Sequence, residues 1–231
     1  MKKLQMCLLV ALLSWGTVAA TQTTDNLSKV VGVSKSGTEI TVTNIADKPL
    51  TAFLLRSSAD RWRGEQWFDA GTQFSRDHAI PVGASVTLRL GGGNTPDAST
   101  TIQCVEFADH STAGDAGCIV KLSTRRSGLT GALERVKDTM KQAKNQTRPL
   151  SEVLSELQKH REAIKLDKSA DGEAKSTEFL ATVFAIRNLQ LEQRRGASIG
   201  EAYEHVVWAA EHWQSQISAV QGQVPQAQPQ H

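Results

Sequence analysis

One short segment in the first half of the chain brings aromatic and basic side chains together. Arg61, Trp62 and Arg63 are followed closely by Trp67 and Phe68. Aromatic and arginine residues are enriched where proteins bind partners, so these five residues form a candidate partner-binding surface. The favoured alternative is that the tryptophans pack inside the fold, because Trp is usually largely buried.

A polar segment further along could bind a cation. Asp109 and Asp115 enclose Ser111 and Thr112, whereas calcium takes about six to eight oxygen ligands. Four side chains are too few without help from elsewhere. The favoured interpretation is that Asp115 caps a following helix through its carboxylate and that Gly114 turns the chain.

Carboxylates and imidazoles also recur near the C-terminus. Glu201 and His205 are one helical turn apart and therefore share a face. A metal site in a helical bundle would require a Glu-x-x-His spacing and inward-facing ligands. The spacing here is Glu-x-x-x-His, and apolar Ala202, Val206 and Trp213 take the inward positions. We therefore expect a solvated face, no metal ligands and no cofactor.

No known catalytic motif is present in the sequence. It contains no Gly-x-Ser-x-Gly turn, no His-Glu-x-x-His pair and no phosphate-binding loop. A triad assembled from distant residues remains an alternative, because catalytic groups are recognised by geometry. The histidines available for it are His78, His110, His160, His205, His212 and His231.

The first 20 residues have the three parts of an export signal. Lys2 and Lys3 precede apolar residues 4–15, and residues 17–20 read Thr-Val-Ala-Ala. This pattern predicts a cleavable signal peptide. A membrane anchor is the alternative, but spanning a bilayer takes about 20 apolar residues. We therefore expect a periplasmic or secreted protein with no stable membrane insertion after cleavage.

The charges of the remaining chain are balanced. Loss of Lys2 and Lys3 would take the formal charge from +2 to 0. Residues 21–125 contain 10 Lys and Arg against 11 Asp and Glu, and residues 126–231 contain 14 against 13. Nucleic-acid-binding proteins usually show a basic stripe, so nucleic acid is not an expected partner.

Cysteine usage favours a covalent cross-link. Cys7 lies within the signal, so Cys104 and Cys118 remain after its removal. An even number of cysteines in an oxidising compartment favours a disulfide, with a pair of buried free thiols as the alternative. In the chain-entropy model, closing a loop of about 15 residues contributes about 3 kcal/mol.

The first half of the chain has the side-chain period of strands. Ile40 and Val42 alternate with polar residues, which predicts a half-buried strand. Residues 50–55 are apolar on both faces, which predicts a central strand. Residues 56–80 indicate a long surface loop with one short strand.

The predicted disulfide joins the last of these strands to a helix. Side chains alternate along a strand, so Val105 and Phe107 are expected on one face, with Ile102 and Cys104 on the other. Cys118 is predicted in the first turn of a helix. The bridge would hold that turn against the sheet beside Ile102.

From about residue 116 the apolar period becomes helical. Further amphipathic helices are predicted over residues 150–164, 179–196 and 198–220, with a polar linker over residues 166–176. The stripe of the first helix consists of residues spaced seven, four, three, four and three apart, namely Leu122, Leu129, Leu133, Val136, Met140 and Ala143.

Several segments resemble uncharacterised exported proteins of Acidobacteria-type bacteria. Residues 107–115 read FADHSTAGD and run into a helix containing Arg125 and Arg126. The other similar segments are NIADKPLTA at residues 44–52, IRNL at residues 186–189 and SIGEA at residues 198–202.

This resemblance implies an order of parts. A signal peptide comes first, then a strand-rich region, the strand-to-helix junction and helices. Two positions depart from the family pattern, since Cys118 stands where an aromatic residue is more usual and His110 replaces a commoner glycine. The family implies export and architecture but no activity.

The sequence as a whole predicts an α+β protein in which helices pack on an antiparallel immunoglobulin-like β-sandwich. The expected function is non-catalytic interaction or scaffolding with an unknown protein partner in the cell envelope. The alternative is a hydrolase or metal-dependent enzyme with a cleft between the two halves. The predicted parts are a signal peptide (1–20), a β-sandwich (21–115), a helical region (116–220) and a disordered tail (221–231).

Overall fold

The computed structural model describes residues 24–37, 39–57, 65–72, 79–89, 100–164 and 172–221. A short 3₁₀ helix over Thr24–Lys29 precedes the first strand. The strands of these ranges are β1 (Val31–Ser36), β2 (Glu39–Asn44), β3 (Leu50–Ser57), β4 (Glu65–Asp69), β5 (Ser85–Arg89), β6 (Thr100–Phe107) and β7 (Thr112–Gly114). The helices are α1 (Ala116–Asn145), α2 (Leu150–Ala163), α3 (Gly172–Arg194) and α4 (Ile199–Gln221).

The strands form two antiparallel sheets. One has three strands in the order β1-β2-β5, and the other has four in the order β4-β3-β6-β7. Together with the four helices they confirm the predicted α+β class. The predicted strand over residues 50–55 is central, since β3 pairs with both β4 and β6.

Side-chain alternation places the apolar residues of β2 in the interior. Ile40 and Val42 are fully buried, and the intervening Thr41 and Thr43 are partly exposed. Across the strand pair, the hydroxyl oxygens of Thr41 and Thr87 lie 3.0 Å apart. The predicted half-buried strand is therefore confirmed, and its polar face is linked to β5 by hydroxyl contacts.

Both sheets contribute to one hydrophobic cluster. The rings of Phe53 and Phe68 stack at its centre, with centroids 5.1 Å apart and an interplanar angle of 9°. Burial of each such side chain contributes about 1.5–3 kcal/mol. The strand residues of the cluster are Val31, Ile40, Val42, Leu50, Phe53, Leu55, Phe68, Ile102, Val105, Phe107 and Ala113.

The predicted facing of Ile102 is wrong. Ile102 packs in the shared cluster with Val105, whereas Cys104 packs on the opposite side of the sheet. The pairing register between β3 and β6 shifts between Leu54 and Leu55. This irregularity interrupts the alternation, so Ile102 and Cys104 occupy opposite faces although they are two residues apart.

The other face of the four-stranded sheet is covered by helix α1. Leu54 and Cys104 form a small cluster with Cys118, and Trp67 and Ile119 pack against it. The centre of the sheet is therefore buried on both faces, which explains why residues 50–55 of β3 are all buried.

The four helices share a second hydrophobic core. Helix α1 packs against α3 and α4, and α2 packs against α3. The core includes Leu129, Leu133, Val136, Met140, Val153, Leu154, Leu157, Ala185, Leu189, Val206, Trp213 and Ile217. The predicted apolar stripe of α1 thus faces this core from Leu129 onward.

The helix boundaries follow local capping chemistry. The Ser198 hydroxyl accepts from the backbone N–H of Glu201, and the Glu201 carboxylate accepts from the backbone N–H of Ser198. This capping box begins α4 as predicted. Helix α3 begins at Gly172, inside the segment predicted as a linker, and about two mainly polar turns precede its apolar stripe.

None of the described helices is both long enough and apolar enough to cross a bilayer.

The turn from β7 into α1 has a strict requirement for glycine. Gly114 has a φ of 103°, and a Cβ there would lie 2.3 Å from the backbone oxygen of Gln103. Gly83 also has a positive φ, 75°, but its surroundings are open. We expect Gly83→Ala to cost about 1 kcal/mol from backbone conformation alone, and Gly114→Ala to cost at least about 2 kcal/mol more because the strand must move.

Urea unfolding followed by tryptophan fluorescence measures both variants. Equal destabilisation of the two proteins would contradict the close approach of β6 to Gly114.

Candidate functional site

The sheet and the helical region meet at a buried arginine of α1. Arg126 is 1% exposed although arginine is among the residues least often buried. It lies one turn after Leu122 and one turn before Leu129, so it belongs to the buried stripe of the helix. The helix therefore places the guanidinium on the face of the four-stranded sheet that α1 covers.

Two carboxylates from different strands bind this guanidinium. Arg126 Nε lies 3.2 and 3.1 Å from Oδ1 and Oδ2 of Asp69, and its Nη2 donates to the same Oδ1 at 2.9 Å. Its Nη1 donates to Glu106 Oε1 at 2.8 Å and to the backbone oxygen of Val220 at 3.3 Å. One side chain of α1 thus links β4, β6 and the end of α4. We call Asp69, Glu106 and Arg126 the junction cluster.

Asp69 is also held by its own chain. Its Oδ1 accepts from the backbone N–H of Gly71 at 3.0 Å. The Gly71 carbonyl in turn accepts from the indole nitrogen of Trp213 on α4 at 3.1 Å. The turn after β4 therefore connects the junction cluster to the core side of α4.

Burial and charge act in opposite directions on these groups. Burial raises the pKa of Glu106, and this outweighs the lowering effect of Arg126. Burial alone would lower the pKa of Arg126, but the charges of Asp69 and Glu106 raise it. Arg126 is therefore cationic, and it is Asp69 that contributes most to holding it.

A second link joins the same two elements. The sulfur atoms of Cys104 on β6 and Cys118 on α1 lie at bonding distance, with Cα atoms 5.9 Å apart. Both residues are buried. The predicted cysteine pair is therefore present, and it holds the first turn of α1 on the strand that carries Glu106.

The predicted aromatic surface is only partly exposed. Phe68 is 4% exposed and stacks on Phe53, so it is a core residue and not a surface residue. Trp67 is half-buried against the disulfide cluster, which fits the packing interpretation. The pleat of β4 explains both positions, because its two faces pack on different clusters. The other three candidates, Arg61, Trp62 and Arg63, lie outside the described residues.

The helical region instead exposes a different tryptophan. Trp208 on α4 is 66% exposed, and its ring stacks on His212 with centroids 5.5 Å apart and an interplanar angle of 4°. On a helix, the positions three and four residues away flank a side chain. Those positions place Glu204 and Glu211 on one side of Trp208, with His205 and His212 on the other. We call these five residues the Trp208 patch.

The polar segment at the strand-to-helix junction is structural. Asp115 Oδ1 accepts from the backbone N–H of Cys118 at 2.7 Å, as predicted for a helix cap. Asp109 instead binds Lys48 Nζ at 2.8 Å and the backbone N–H of Ser111 at 3.0 Å. Hydrogen bonds from Lys48 and Ser111 hold the pKa of Asp109 well below its ordinary value. The two carboxylates thus serve separate turns and do not converge on a common point.

Three histidines of the described residues contact different partners. His110 contacts the Val220 carbonyl, His160 contacts Glu178, and His205 contacts Glu192. Inward positions of α4 are taken by Ala202, Val206 and Trp213, as predicted. Over the described ranges, no three His, Cys, Asp or Glu side chains are grouped to hold a metal ion. His78 and His231 lie outside those ranges.

Comparison of the chain with protein-family models, with curated proteins and with solved structures finds no match.

Sequence reasoning missed the junction cluster, although one signal for it is visible. The apolar stripe of α1 skips from Leu122 to Leu129, and Arg126 stands at the helical position between them. A charged residue within an apolar stripe requires buried partners. Its partners come from positions 57 and 20 residues away, which the spacing of α1 does not reveal.

The two carboxylates of the junction cluster should differ in their effect on stability. We expect Asp69→Asn to cost about 3–5 kcal/mol, because an amide has only one oxygen to accept from Nε and Nη2 of the buried Arg126 and turns a donor toward the same guanidinium. We expect Glu106→Gln to cost less than about 1.5 kcal/mol, because the amide oxygen still accepts from Arg126. Urea unfolding at pH 7 measures both, with Glu39→Gln, which breaks the exposed pair with Arg89, as the control near zero.

The effect of Glu106→Gln on stability should depend on pH. Because the pKa of Glu106 is raised in the folded state, its contribution to stability is lost as the pH rises above the ordinary value of 4.5. Glutamine does not ionise, so Glu106→Gln should gain stability relative to the wild type as the pH increases from 4.5 to 7. The opposite trend would show that Arg126 more than compensates for the burial of Glu106.

The disulfide should contribute measurably to stability. We expect Cys104→Ala combined with Cys118→Ala to lower the free energy of unfolding by about 3 kcal/mol, as estimated for a loop of about 15 residues. Mass spectrometry of the unreduced protein should show two hydrogen atoms fewer than the dithiol form. Recovery of two free thiols from freshly isolated protein would contradict the bridge.

Proposed function

We propose that this chain is an exported, non-catalytic interaction or scaffold protein of the cell envelope. In this proposal the two sheets form an immunoglobulin-like sandwich that anchors the helices, and the helices present a surface to a protein partner. The observation that carries the proposal is the exposed Trp208 on α4.

Export is supported by two independent features. Residues 1–20 have the pattern of a cleavable signal. The cysteine pair within bonding distance is typical of proteins that fold in an oxidising compartment. The resemblance to exported proteins implies the same location.

The immunoglobulin-like assignment is supported by the strand arrangement. The described strands are short and antiparallel, and they divide into sheets of three and four that bury one shared cluster. Those are general attributes of such sandwiches. The helices that follow would use the sandwich as a support, through Arg126 and the Cys104–Cys118 bridge.

The partner surface is supported by the chemistry of the Trp208 patch. Tryptophan is enriched among residues that contribute most to binding, and it is usually well buried in a monomer. Here it lies between glutamates and histidines, which can supply the polar rim of an interface. Solvation of so large an apolar ring is unfavourable until a partner covers it.

The enzyme alternative gains no support from the described part of the junction. Arg126 and its two carboxylates lie where the sheet and the helices meet, and both carboxylates bind the guanidinium. The charged groups that a catalytic cleft at this place would require therefore hold the sheet and α1 together.

Site-specific photo-crosslinking tests the proposal. A benzophenone amino acid at position 208 should cross-link a defined envelope protein in intact cells, and the same group at position 120 should not. Val120 on α1 is 64% exposed and serves as the matched position. Trp208→Ala should abolish co-isolation of that protein while changing the free energy of unfolding by no more than about 0.5 kcal/mol.

Identical cross-linking patterns from positions 208 and 120 would argue against a partner surface at Trp208. Accumulation of the chain in the cytoplasmic fraction with residues 1–20 intact would argue against export.

A further inference from the structure

The last turn of α4 is held on the sheet through its backbone. The Val220 carbonyl accepts from Arg126 Nη1 at 3.3 Å and lies 3.2 Å from His110 Nδ1. A carbonyl oxygen can only accept, so His110 is the donor in this contact. Carbonyls in the final turn of a helix have no partner within the helix, and here side chains from outside the helix supply one.

His110 lies in a hydrogen-bonded turn between β6 and β7, next to the end of α4. His110 lies in the left-handed region, with a φ of 63°, and its backbone N–H donates to the Phe107 carbonyl at 2.9 Å. Asp109 accepts from the backbone N–H of Ser111 and from Lys48 Nζ. These contacts fix the backbone of the turn between β6 and β7 that carries the imidazole.

The charged groups around His110 favour a positive charge on its imidazole. The junction cluster contains two carboxylates, Asp69 on β4 and Glu106 on β6, against one guanidinium, Arg126 on α1. While Glu106 is ionised, one negative charge is therefore in excess. Residues 218–221 at the end of α4 are Ser-Ala-Val-Gln and add no charged side chain, although the helix terminus itself is the negative end of the helix dipole. Within its own turn, the charges of Asp109 and Lys48 offset each other.

We propose that His110 is a pH-responsive clasp that fastens the C-terminal turn of α4 to the sheet and tightens when its imidazole is protonated. The imidazolium always carries a hydrogen on Nδ1, whereas the neutral ring carries it there in only one of two tautomers. The cation also meets the helix C-terminus and the excess charge of the junction cluster. Histidine is the side chain whose charge ordinarily changes near neutral pH, so mild acid strengthens the clasp.

Protonation of Glu106 sets a lower pH limit for the clasp. Once this carboxyl is protonated, the junction cluster is neutral and attracts the imidazolium less strongly. The raised pKa of Glu106 brings that limit closer to neutrality. This device is independent of the partner surface at Trp208, which lies three turns earlier on α4.

Hydrogen exchange of the purified protein tests the clasp. Protection factors, which correct for the intrinsic effect of pH on exchange, are measured for the amides of residues 214–220 at pH 7.5 and pH 5.5. We expect a rise of about two- to fivefold at the lower pH, the range measured for a cation at a helix C-terminus. His110→Asn tolerates the left-handed backbone and still donates but does not titrate, so it should show no rise.

Two further variants separate the clasp from general effects of pH. His160→Asn, on α2, removes another titrating histidine and should keep the full rise. Glu106→Gln neutralises the excess charge and should reduce it. The proposal is overturned if His110→Asn keeps the wild-type rise, or if protection in the wild type is unchanged or lower at pH 5.5.

Discussion

The burial of one guanidinium dictates how the two parts of this protein meet. Arg126 requires carboxylates where water is excluded, and this structure satisfies it by bringing the ends of β4, β6 and α4 to one point. Removing a charge from water costs several kcal/mol unless it is paired with good geometry. If α1 packed on the sheet in a shifted position, Arg126 would lose its carboxylates and its desolvation would not be compensated. The cluster therefore favours one position of the helix over others that bury a similar apolar area.

The disulfide and the junction cluster act on the same interface in different ways. The Cys104–Cys118 bridge restricts the unfolded chain, but it leaves the helix free to rotate about its first turn. The Asp69–Arg126 contact is directional and lies two turns further along α1. Together they fix both the origin and the direction of α1 on the sheet. The core formed by the other helices then follows from the apolar stripe of α1.

Patterns that depend on near neighbours were predictable from the sequence. The alternation at Ile40 and Val42 and the stripe from Leu129 to Met140 arise from strand and helix geometry alone, and both have the predicted burial. Contacts that depend on pairing between distant segments were not. A register shift between β3 and β6 turned Ile102 into the shared core, and the partners of Arg126 lie on other strands. Trp67 and Phe68 show the same limit, since composition does not reveal which cluster each face of β4 covers.

Two tryptophans of α4 lie in opposite environments. Trp213 is buried and donates to the Gly71 carbonyl, so it helps to join α4 to the sheet. Trp208, five residues earlier on the same helix, has two-thirds of its surface in solvent. The two rings emerge from a helix whose inner face is fully packed, and the core therefore has no further place for Trp208. Stability alone would favour a polar residue at that position, and this is the physical reason for proposing that the exposed ring contacts another molecule.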